Sequence, residues 1–116
     1  KEISDSKTGY PQSTLIIKSD FARENPEFVK SFTEEISNGI KWINENSKDA
    51  GIYAKEFGVS TEPTVIEKAM ERANLEFVRI SEMQKEYDDY YQKLFDFEPK
   101  TVGGNLPDEG IFYKGE

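Results

Sequence analysis

The chain has 116 residues, enough for one small domain with one core. Its 15 basic and 23 acidic residues leave a net charge of −8, so nucleic acid and anionic lipid headgroups are repelled and neither is expected as a partner. It contains no histidine and no cysteine, which removes disulfides, zinc–thiolate sites and the usual members of nucleophile–base pairs.

Residues 1–12 read as a polar linker that ends at the turn-prone pair Tyr10-Pro11, and residues 13–116 as a single compact unit. Leu15, Ile16 and Ile17, closed by Lys18, carry a strand signal. A strand apolar on both faces normally lies inside a sheet, and no sheet is legible here to hold it. Asp20 can cap a short turn over Phe21 to Glu24. Asn25 then caps a long helix, with Pro26 at its first position and Glu27 at the positive end of its dipole. Phe28, Phe32, Ile36 and Ile40 recur every four residues, with Val29 and Ile43 beside them. Gly39 is a weak point in that helix, or a place where another backbone comes close.

Ser47 opens a second helix with Ala50, Tyr53, Ala54 and Phe57 on one face, ended by Gly58 in a left-handed cap. Thr61-Glu62-Pro63 starts a third, with Val65, Ile66, Ala69, Met70 and Ala73 as its stripe and Asn74 as terminator. Leu75 to Ile80 fits a short extended segment. Ser81 and Gln84 resemble a capping box for a fourth helix running to about Phe95, with Met83, Tyr87, Tyr90, Tyr91 and Leu94 inward. Beyond Pro99, Val102 to Pro107 is turn chemistry, and Ile111-Phe112-Tyr113 is an apolar tail that needs a surface. The expected class is therefore α/β but mostly α, with about four helices and one or two strands.

Candidate chemistry is sparse. Glu86, Asp88 and Asp89 offer oxygens to a cation, but at helical spacing they point apart and read as a solvated face. Tyr87, Tyr90 and Tyr91 could stack a ligand; their spacing reads first as core with wet hydroxyl ends. Trp42 lies off the main stripe and is expected to cover a second surface. Gly103-Gly104 lacks the Lys-Ser/Thr and the setting of a phosphate loop. No enzymatic activity and no cofactor are expected from this chain.

The order of these residues carries more. Ile16 to Lys18, Asp20-Phe21, Asn25-Pro26-Glu27, Val29, Trp42, Asn46, Ala54 and Gly58 resemble, in series, the last third of the substrate-binding proteins of bacterial ABC importers. The similarity is to the nitrate, sulfonate, taurine and thiamine-pyrimidine-precursor branch. Gly103-Gly104-Asn105-Leu106-Pro107-Asp108 is similar to an ending seen in some members. The resemblance implies part of a two-lobed periplasmic-binding-protein type II fold, with a returning strand and helices that coat a lobe. It also implies non-covalent capture of a small solute and docking on permease subunits.

Cleft-facing positions would precede the strand, at Tyr10, Gln12 and Ser13; as plain residues these read as a loop. Location would be extracytoplasmic, in the periplasm or lipid-anchored at the outer face of the membrane. The chain does not begin with Met and shows no signal peptide, so it reads as an excised or processed piece. Such a piece is expected to self-associate through the free edge at Leu15, Ile16 and Ile17. The competing readings are a free-standing helical interaction module and a piece of a pyrimidine-synthase-like enzyme. The absence of histidine counts against the latter for this region.

Overall fold

The computed structural model describes residues 11–59 and 62–115. In chain order it has α1 (Ser19–Glu24), α2 (Pro26–Glu45), α3 (Ser47–Glu56), α4 (Pro63–Ala73) and α5 (Gln84–Phe97). Short 3-10 turns lie at Ile80–Glu82, Pro99–Val102 and Glu109–Ile111. Asn25–Phe77 forms one compact unit; the described residues of Lys1–Glu24 and Val78–Glu116 form another.

Among the described residues there is no strand, so the architecture is all-helical and the expected α/β class is corrected. Self-association through a strand at Leu15, Ile16 and Ile17 loses its basis with it. The physical reason is that a strand exists only as a ladder with a neighbour, and no second strand is at hand. Leu15, Ile16 and Ile17 are instead 54%, 92% and 42% exposed, without the pleated surface that gives β-branched residues their preference. The expected extended segment before Ser81 also forms no ladder; Val78 and Ile80 lie against a helical core.

In the Asn25–Phe77 unit, Pro26 opens α2 where its missing N–H is harmless, and the Asn25 carbonyl accepts the Val29 amide at 3.2 Å. The Asn25 side chain makes no capping bond, contrary to expectation. Val29 is buried, while Ile36, Ile40 and Ile43 are half-buried. Phe28 and Phe32 stack on each other with centroids 5.9 Å apart and remain about half exposed. α3 packs chiefly on α4 through small residues, Ala50 and Gly51, both buried. A Cβ at Gly51 would stand 3.0 Å from the Pro63 carbonyl carbon and closer to its oxygen, so two backbones pass closely there. The close approach entertained at Gly39 is absent: nothing lies within 4 Å of its added Cβ.

α3 ends in a Schellman motif. Gly58 has φ +70°, its N–H donates to Lys55, and the Val59 N–H donates to Ala54 at 2.8 Å. That termination throws Phe57 outward, 80% exposed, rather than onto the face shared with Ala50. α4 ends at Asn74, which takes the left-handed conformation at φ 45°, ψ 46°, as the sequence suggests. The Asn44 amide donates to the Leu75 carbonyl at 2.8 Å and ties the end of α2 to the segment beyond α4.

In the other unit, the Lys18 carbonyl accepts the Ala22 amide, so α1 starts at Ser19. Asp20 therefore sits inside the first turn, paired with Arg23, instead of capping it. The Ser81–Gln84 capping box is replaced by the 3-10 turn, and α5 begins at Gln84 with Met83 as its cap residue. Met83 and Tyr87 are buried; Tyr90, Tyr91 and Leu94 are half-buried, on the face expected. Phe112 supplies the tail's anchor, buried edge-on against Tyr87 with centroids 6.1 Å apart.

Candidate functional site

Tyr10 lies outside the described residues. Gln12 and Ser13 are exposed and belong to no helix. The next residue, Thr14, is hydrogen-bonded through its hydroxyl to the Tyr87 hydroxyl, 73 positions away in the chain. Tyr87 is 8% exposed and sits among Met83, Phe112 and Tyr91. The segment carrying Gln12 and Ser13 is thus hydrogen-bonded to α5 through Thr14.

The tyrosines divide by environment. Tyr87 is core, with Tyr91 at 6.0 Å and Phe112 edge-on. Tyr90 and Tyr91 touch at 6.1 Å and keep part of their surface in water. Tyr91 also borders a shallow hollow of about 160 Å³ with Asp88, Gln92, Leu106 and Pro107. A second hollow, about 190 Å³, lies along α3 between Asp49, Ile52, Tyr53 and Glu56. Neither is lined by Gln12 or Ser13, and both are half open to solvent, unlike the enclosed clefts that hold small solutes.

The acidic positions behave as a helix face. Asp89 pairs with Lys93 one turn on, at 2.6 Å. Among the described residues no group of three or more acidic side chains could share a metal ion. Gly103 and Gly104 have φ +79° and +87°, and their N–H groups donate to Lys100 and Pro99. With both donors engaged, the pair ends a turn and offers no cradle to phosphate.

What the sequence left open is the amount of apolar surface facing water. Trp42 meets Tyr53 of α3, centroids 5.7 Å apart, as its off-stripe position implies, yet stays 39% exposed. Ile16, Phe57, Val59 and Phe97 are each at least three-quarters exposed. Among the described residues no side chain is buried to the last few per cent. Exposed hydrophobes scattered singly are ordinary; here they accompany a small core. No described helix is long and apolar enough to cross a membrane. The chain matches no family model, no curated protein and no solved structure.

Proposed function

We propose that the chain works in solute capture for an ABC-type importer, as the C-terminal segment of the extracytoplasmic binding protein. The solute is a small organic or anionic one, such as a sulfonate, nitrate or a pyrimidine precursor. The observation that carries the reading is the way the resembling residues fall on helix boundaries. Asn25-Pro26 stands at the start of α2, and Asn46 closes its end through backbone and side-chain bonds to the Trp42 carbonyl, both 2.9 Å. Gly58 ends α3 in the left-handed conformation. Residues that shape the chain in this way are consistent with an ordered family pattern.

The exposed apolar residues support the same reading. In a larger protein they would lie on inner surfaces, and the solute site would need groups this chain does not contain. Tyr10, Gln12 and Ser13 would contribute ring and polar contacts to that site, and the closed form would dock on permease subunits. The second reading, a helical module that binds protein, draws on the exposed Trp42–Tyr53 pair and Phe57.

Calorimetric titration of the full-length gene product with taurine, nitrate and a hydroxymethyl-aminopyrimidine tests the proposal. One of them is expected to bind saturably at one site, and the 116-residue chain by itself is expected to bind none. Saturable micromolar binding by this chain alone, or no binding by the full-length product, would contradict it.

A further inference from the structure

We infer that Tyr87 is a positioning residue: its buried phenol fixes Thr14 and thereby holds Gln12 and Ser13 ready for the solute. The inference rests on the solute-capture reading above. Gln12 and Ser13 are exposed and outside any helix, so nothing in their own local structure sets where they stand. Among the described residues, the Thr14–Tyr87 bond is the hydrogen bond that joins residues 12–17 to a helix.

The anchor itself is rigid. The Tyr87 ring is 8% exposed, with Phe112 edge-on at 6.1 Å and Tyr91 at 6.0 Å, and Met83 completes the cluster. A tyrosine has two side-chain torsions, and packing on several sides leaves its hydroxyl at a fixed point of the surface. A hydroxyl so placed suits a tether, because it adds a directional bond without disturbing the core. A segment held in place before the solute arrives loses less freedom on binding, so affinity is higher than for a loose one.

Tyr87→Phe keeps the ring and removes the bond; Thr14→Val removes it from the other side. In the full-length gene product, each variant is expected to lower the backbone amide order parameters of Ser13 and Thr14, because the segment loses its hydroxyl bond to the core. Each is also expected to weaken binding of whichever probe the wild type takes, among taurine, nitrate and a hydroxymethyl-aminopyrimidine, by about fivefold. The double variant is expected to add nothing, since the two side chains form one interaction.

Additive losses, or equal order parameters at Ser13 and Thr14 in wild type and Tyr87→Phe, overturn the inference. So does an unchanged affinity in Tyr87→Phe. A wild-type protein that binds none of the three probes overturns the solute-capture reading instead, and the positioning role toward a solute falls with it.

Discussion

Replacing Gly51 by alanine sets two effects of known sign against each other. In a helix interior alanine is favoured over glycine by about 1 kcal/mol. Against that, the new Cβ would stand 3.0 Å from the Pro63 carbonyl carbon, 3.2 Å from its Cα, and nearer still to its carbonyl oxygen. All three atoms are backbone, so no side chain can swing aside. α3 and α4 must separate, and they are the main packing pair of this unit. Forcing a methyl group into such a contact costs about 1–3 kcal/mol.

Gly39→Ala is the matched control. It also lies inside a helix, α2, with open space around the added methyl, so it keeps the gain without the clash. The propensity term is common to both variants and cancels in their difference. Gly51→Ala should therefore be less stable than Gly39→Ala by about 1–3 kcal/mol. Trp42 is the only tryptophan and lies in the same unit, so its fluorescence during urea unfolding reports the right part of the molecule. If Gly51→Ala proves as stabilising as Gly39→Ala, the close passage of α3 and α4 is wrong.

Further outcomes follow from the same reasoning. Asn74 ends α4 in the left-handed region, where alanine pays about 1 kcal/mol that glycine avoids, so Asn74→Ala should lower the Trp42-monitored urea midpoint and Asn74→Gly should not. Phe112→Ala removes the ring that closes the Met83–Tyr87 cluster and should cost about 3 kcal/mol, seen as early loss of near-ultraviolet tyrosine dichroism on heating. Lys93→Gln breaks an exposed one-turn ion pair with Asp89 and should shift stability by no more than about 0.5 kcal/mol, less at high salt.

The helices were legible because their signals are local. Pro26 and Pro63 open helices, Gly58 and Asn74 close them, and α5 buries the face that its spacing marks. The side-chain caps were less so: Asn25 accepts through its carbonyl alone at the head of α2, and Asp20 found Arg23 instead. A capping residue is defined by its own dihedral angles as much as by its type, and Asn25 sits at φ −131°, ψ 53°. Leu15 to Ile17 carry a strand signal without forming one, because strand formation depends on a neighbour, which three apolar letters do not supply. Nor could spacing reveal Gly51 as the close-packing point, since it depends on where α4 lies.

The candidate contacts Gln12 and Ser13 came from resemblance alone. Their tether to Tyr87 spans 73 positions and leaves no periodic trace.

The solute-capture proposal implies that the apolar residues facing water here are covered in a longer gene product. Ile16, 92% exposed, is the sharpest place to ask, and the chain has no cysteine to confuse a thiol probe. The Ile16→Cys variant should react with a thiol reagent freely in the 116-residue chain and at least tenfold more slowly in the full-length gene product. Equal, fast reaction in both would mean that no larger body covers this segment.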